Sequence, residues 1–232
     1  MSASAIEALG WGALAASSLV IGAAIGLARP WPRKLVGLVL GFGAGALISA
    51  VSFELVQEGV REARGLPVAI GLAVGALTYY VAAGKVAAMG GGGALALGAF
   101  LDGIPEQAVL GIGLASGEPV SAGLLDAIFV SNLPEAIGGA TDMKREMHSE
   151  KRVMLNWLLI AGFCALATVV GYGIADIASN EMRAGINGFA AGALLVMLVD
   201  SMIPEATEQA GRTTGLVTTF GFAVAAGLSF AT

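Results

Sequence analysis

The sequence predicts an all-α integral membrane protein: eight transmembrane helices in a 3+2+3 arrangement, with helices 1–3 repeated in inverted orientation as helices 6–8. Three observations carry this. The chain has 232 residues, 56% hydrophobic and only 12% charged, with a mean hydropathy of +0.83, whereas a soluble domain carries about 25% charged residues. Its apolar stretches approach the roughly 20 residues that a helix needs to cross a bilayer. Two blocks of sequence, one near each end, match without gaps. The whole chain, 1–232, reads as one polytopic domain: a first repeat over about 6–84, central helices over about 94–140 and a second repeat over about 153–231.

The predicted spans cover 6–28, 34–57, 66–84, 94–116, 119–140, 153–176, 182–205 and 213–231. The first, third and eighth are almost purely apolar and are expected to face lipid or packing partners. The second, fourth, fifth and seventh carry acids and are expected to line an interior. The 35 glycines, many inside the apolar runs, suit helices that pack closely through small residues, because lipid supplies no hydrophobic drive for helix association. The opening MSASAIEALGWG has no basic n-region, so a cleaved signal peptide is not expected. Cys164 stands alone mid-span and reads as a small packing residue. The net charge of −5 resides mostly in short loops and gives no nucleic-acid surface.

Orientation follows from the basic residues. Arg29, Arg33, Lys34, Lys85, Lys144, Arg145, Lys151, Arg152 and Arg212 fall on one side; Arg61, Arg64 and Arg183 fall on the other. The positive-inside rule assigns the first side to the cytoplasm and both termini to the exterior of the cell (inner) membrane. The segment TDMKREMHSEKR is then the main cytoplasmic loop, with His148 solvated in it, and GKVAAMGGGG a flexible connector. Tyr79, Tyr80, Trp11 and Trp31 suit the interfacial aromatic belts.

The repeat is GFGAGALISAVSFELVQEG (41–59) against GFAAGALLVMLVDSMIPEA (188–206), at an offset of 147. Gly41, Phe42, Ala44, Gly45 and Glu58 meet Gly188, Phe189, Ala191, Gly192 and Glu205. Trp11 and Trp157 match at an offset of 146. Span 2 runs outward and span 7 inward, so the repeat is inverted, a signature of secondary transporters with a substrate site near the midplane. A second pairing links the middle spans at an offset of 29: Asp102 to Glu106 parallels Ser131 to Glu135.

The steps Pro105-Glu106 and Pro134-Glu135 are the most informative local feature. An acid at the bilayer centre costs about 2.5–3.5 kcal/mol on insertion scales, and a helical proline frees a carbonyl one turn back, here those of Leu101 and Val130. Residues three or four apart share a helical face. Two facing helices could thus turn Asp102, Glu106, Asn132 and Glu135 toward one point, with Ser131 on the Glu135 face. Unneutralised, such acids repel one another, and no Lys or Arg lies in these spans. A divalent cation would neutralise them, and protons would fill the role when it leaves. Glu54 and Glu58 near the outer end of span 2, and Asp200, Ser201 and Glu205 near the inner end of span 7, read as stations on the access path or as interfacial helix ends. Asp126 lies away from the Glu135 face, and Gln107 reads as a helix contact.

At these residues the chain resembles the ZIP (Zrt/Irt-like) family of divalent metal transporters, as a histidine-poor, compact prokaryotic-type member. The resemblance covers essentially the whole chain and rests on Pro105-Glu106, Pro134-Glu135 and the span-7 stretch GFAAGALLVMLVDSMIPEA. It implies a divalent cation as cargo (zinc, manganese, iron or cadmium), no cofactor, no enzymatic activity, movement into the cytoplasm and a homodimer in the lipid bilayer. It also implies that Glu106 and Glu135 are metal ligands, while Asp102, Ser131 and Asn132 inherit ligand positions with altered chemistry. Asp102 and Ser131 stand where the family has histidine, Gly103 where it has asparagine, and the histidine-rich loop is missing. Oxygen donors without imidazole favour hard ions such as Mn(II), although zinc also binds carboxylates. Two other readings stay open: a ZIP-like protein with changed substrate or no transport, and a membrane-embedded hydrolase using Asp102 or Asp126. Against the hydrolase, the chain has no Ser–His pair and no HExxH motif.

Overall fold

A computed structural model describes residues 5–29, 31–63, 65–115, 122–147 and 149–230. His148 and Arg64, and with them the reading of His148 as solvated, lie outside the described residues. The fold is all-helical. We number the helical segments α1 (Ala5–Ala28), α2 (Arg33–Glu62), α3 (Gly65–Met89), α4 (Gly91–Ala115), α5 (Ala122–Met147), α6 (Glu150–Ile177), α7 (Asn180–Ala210) and α8 (Thr213–Ser229). Among the described residues, five of them (α1, α2, α3, α6 and α7) are long and apolar enough to cross a membrane. Of the others, α4 and α5 carry the interior prolines and acids, and α8 is a shorter apolar helix. With lipid unable to hydrogen-bond a backbone, helices are the economical form for every such segment.

Two expected loops are mostly helix. GKVAAMGGGG is not a long connector: α3 runs to Met89, α4 starts at Gly91, and Gly90 alone turns the chain, at φ 65. A glycine in the left-handed region is the usual way to stop a helix abruptly. TDMKREMHSEKR is likewise shortened, because α5 continues to Met147 and α6 begins at Glu150. Lys, Arg, Glu and Met are good helix formers, so the helices project past the apolar band before they end.

Both α2 and α7 contain a π-helical turn, Val51–Val56 and Leu198–Met202. Their first residues, Val51 and Leu198, stand 147 positions apart. The packing pairs α3 with α7, α8 with α2, α1 with α5 and α6 with α4, while α1 and α6 pack on each other. Close contacts recur in the same pattern. A methyl group on Gly75 would overlap the Phe189 carbonyl, and one on Gly221 would overlap the Phe42 carbonyl. Gly26 abuts the Ile137 carbonyl as Gly171 abuts that of Ala108. Ile137 and Ala108 are 29 positions apart, the spacing seen between the two Pro-Glu steps.

The basic connections gather at one end of the bundle. Arg33 at the start of α2 pairs with Glu208 on α7 at 3.7 Å. Ala28, ending α1, borders the same hollow as Lys151 on α6. Gly90, between α3 and α4, borders the same cavity as Glu146 on α5.

Candidate metal site

The site is built on α4 and α5, which lie antiparallel: Glu106 meets Ser131, while Asp102 and Glu135 one turn away border a common cavity. Proline at 105 and 134 lies inside continuous helix in both cases. Each helix thus offers two polar positions one turn apart, and the antiparallel pairing divides them into an inner set, Asp102 with Glu135, and a deeper set, Glu106 with Ser131.

In the deeper set Glu106 is 1% exposed. Its Oε1 accepts a hydrogen bond from Ser131 Oγ at 3.3 Å, and the same hydroxyl lies 3.0 Å from the Ile128 carbonyl. One hydroxyl proton serves one acceptor at a time. Glu106 Oε2 and the amide nitrogen of Asn132 are both buried and lie close to each other, yet neither makes a well-formed hydrogen bond among the described residues. Buried polar atoms are nearly always partnered, so an orphaned carboxylate oxygen beside other acids is an opening for a cation.

In the inner set Asp102 Oδ1 accepts a hydrogen bond from the Tyr79 hydroxyl of α3. This corrects the placement of Tyr79 in an aromatic belt. Tyr79 is 4% exposed while Tyr80 is 64% exposed: consecutive helical residues point about 100° apart, so one turns into the bundle and the other outward. Tyr79 continues a buried stripe of Val68, Gly71 and Gly75, and that spacing of three or four residues is the sequence signal that identifies its face.

The cavity measures about 490 Å³ and extends to Gly90, Asp142 and Glu146, beside the basic connections of the bundle. Its polar lining includes Tyr79, Asp102, Glu135, Asp142, Glu146, Ser201 and Glu205, with Trp157 and small residues completing the wall. No Lys, Arg or His borders it among the described residues. Asp142 pairs with Arg145 at 2.8 Å at the mouth, and Glu205 Oε1 accepts from Gln209 Nε2 at 2.9 Å. Glu135 lies within electrostatic reach of Asp102, Glu106 and Glu205, and Asp102 within reach of Glu106 and Glu205. Beyond Glu106 the interior is closed by buried apolar side chains, among them Val51, Leu55, Val109, Leu110, Leu124 and Ile128.

Among the described residues, no three His, Cys, Asp or Glu side chains are arranged to hold one ion. In this conformation the carboxylates stand apart, Asp102 turned to Tyr79, Glu106 to Ser131 and Glu135 bordering the cavity. The path residues divide as well. Ser201 and Glu205 line the cavity; Asp200 faces a separate, mostly apolar groove between α3 and α7 that includes Leu77 and Val199. Glu54, in the first π-helical turn, accepts from Ser229 Oγ at 2.8 Å, and Glu58 pairs with Arg61 at 3.5 Å. Neither borders the cavity. Asp126 is exposed, and Gln107 accepts from Thr168 Oγ1 at 2.8 Å, tying α4 to α6. The buried Cys164 thiol sits where a side chain on Gly103 would be. Asp142 and Glu146 were hidden from sequence reasoning because their segment was assigned to a loop.

No family model matches the chain. One protein of Arabidopsis thaliana, named "Putative zinc transporter", is 30% identical over 190 residues. The alignment takes in 75% of this chain and 30% of that protein, so the chain spans under a third of its relative's length.

Proposed function

We propose that this chain carries a divalent metal cation across the membrane and is a member of the ZIP family. One observation carries the reading: carboxylates from α4, α5 and α7 line a single cavity without any basic side chain among the described lining residues, and behind them Glu106 holds a buried oxygen without a well-formed hydrogen bond. Acids so placed cannot all stay ionised alone: they take up protons or are neutralised by a cation. The name of the Arabidopsis relative supports a metal as cargo. The proposed ligands are Asp102, Glu106, Ser131, Asn132 and Glu135, drawn together when the ion arrives. Ser201 and Glu205 serve the open end, and Glu54 and Glu58 the other. Asp200, which faces a different groove, has no part in the path in this conformation.

The proposed architecture is eight spans with an inverted repeat. The spacing of the π-helical turns and the paired Gly75–Phe189 and Gly221–Phe42 contacts support it. π-helical turns recur at functional sites, and these two carry Glu54 and Ser201. With the basic end in the cytoplasm, the cavity is inward-facing, the apolar layer beyond Glu106 is the closed outer gate, and net movement is inward. The assembly is a homodimer in the cell membrane. Zinc is favoured by the relative's name, and manganese by a donor set without imidazole. The chemistry is binding and release, with no covalent step and no cofactor.

Uptake of Zn(II) and Mn(II) into proteoliposomes tests this. The wild type is expected to exceed protein-free vesicles for at least one ion, and Glu106→Ala and Glu135→Ala to fall to background. Flux unchanged in both variants would overturn the site, and no flux of any divalent ion by the wild type would overturn the function.

A further inference from the structure

We propose that Tyr79 is a positioning residue for the cargo ion, fixing Asp102 from outside the ligand set; this rests on the transport reading above. Tyr79 belongs to neither α4 nor α5. It comes from α3, is almost fully buried, and directs its hydroxyl to Asp102 Oδ1 on the wall of the cavity. A carboxylate has two oxygens, so with Oδ1 engaged, Oδ2 is the oxygen left for a cation.

The bond also joins two parts of the bundle. α3 packs tightly on α7, with Gly71 against Gly185 and Gly75 against the Phe189 carbonyl. α7 in turn supplies Ser201 and Glu205 to the same cavity. Through Tyr79 the rigid α3–α7 pair sets where the α4 acid stands relative to the α7 acids. An unrestrained aspartate on the cavity wall would otherwise sample several rotamers and lose that order each time it bound an ion. Hydrogen bonds to the far side of a metal ligand orient it, and their loss typically weakens metal binding by about 10–100-fold.

The test is a double-mutant cycle of Tyr79→Phe and Asp102→Ala, read by Zn(II) and Mn(II) binding to the purified full chain and by uptake kinetics. Phenylalanine keeps the ring that packs in the bundle, and the thermal midpoint in EDTA checks that each variant folds. Tyr79→Phe is expected to weaken binding of the transported ion by about 10–100-fold, raising KM while the maximal rate changes by less than about twofold. In the Asp102→Ala background the same change is expected to have an effect of less than about twofold, because the interacting partner is gone. Wild-type affinity in Tyr79→Phe, or an equal loss with and without Asp102, would overturn the inference and leave the transport reading standing. Failure of the wild type to bind any divalent ion would overturn both.

Discussion

Ser131 of α5 donates to Glu106 of α4 across 3.3 Å, although Ser131 is the positional counterpart of Asp102 in the 29-residue spacing that links the two helices. The pairing is therefore crossed. Asp102 and Glu135 border the open cavity, while Glu106 and Ser131 sit at its sealed end. One Pro-Glu step presents its glutamate to the cavity and the other withholds it.

Removing the serine hydroxyl takes away the one well-formed hydrogen bond of Glu106. Ser131→Ala leaves only the neighbouring Asn132 amide beside the buried carboxyl, and an unsatisfied buried polar group costs about 1–3 kcal/mol. The thermal midpoint of metal-free protein is expected to fall by roughly 2–4 °C for each kcal/mol lost. Adding the transported ion should recover most of the difference. An unchanged midpoint in EDTA would show that this hydrogen bond carries no stability.

Replacing Asp102 by histidine returns an imidazole to the site. Nitrogen ligands suit zinc more than manganese, so Asp102→His is expected to raise the zinc-to-manganese uptake ratio by about tenfold, the equivalent of roughly 1.4 kcal/mol. Competition uptake with both ions measures it. A ratio identical to wild type would remove Asp102 from the ligand set.

The glycine contacts make a paired stability prediction. On Gly75 a methyl group would meet the Phe189 backbone, whereas nothing lies within 4 Å of one on Gly84 of the same helix. Overpacking costs about 1–3 kcal/mol, while alanine for glycine in an unobstructed helix contributes roughly 0.5–1 kcal/mol. Thermal unfolding in detergent should show Gly75→Ala lowered and Gly84→Ala unchanged or raised. Equal midpoints for the two variants would contradict the close α3–α7 approach.

Accessibility reports orientation and the open end together. In a Cys164→Ala background, cysteine at Ser201 should react with a membrane-impermeant thiol reagent applied from the cytoplasmic face. Cysteine at Val109, within the apolar closure, should react at least about tenfold more slowly from either face, since buried positions are reached only through opening. Labelling of Ser201→Cys from the outside alone would reverse the assigned topology.

Several parts of this arrangement are legible along the chain. Acids in apolar runs announce themselves because a bilayer penalises them, so Asp102, Glu106 and Glu135 are found without any structure. The basic residues at 29–34, 85, 144–152 and 212 likewise predict the end at which their connections meet. Other parts leave no such mark. Tyr79 and Tyr80 are identical in type; the small-residue spacing of Gly71 and Gly75 marks the Tyr79 face, but only the packing of Gly75 on Phe189 turns that face into the bundle and sets its hydroxyl against Asp102. The stretch 141–147 reads as a loop by hydropathy, yet its helix-forming residues carry α5 beyond the apolar band and bring Asp142 and Glu146 to the cavity mouth. Asp200 and Ser201 are neighbours in sequence and face different spaces, since consecutive residues of a helix diverge in direction.

By itself the sequence determined the membrane class, the acid-bearing helices and the paired spacing of their polar residues. These follow from local energetics: an apolar solvent forces the backbone into helices, and it makes every buried charge conspicuous. Only the tertiary structure decided which acids share a cavity, which one is sealed away and which tyrosine holds Asp102. Those outcomes depend on how far each helix is rotated and how deeply it sits, and both are set by close packing between segments distant in the chain.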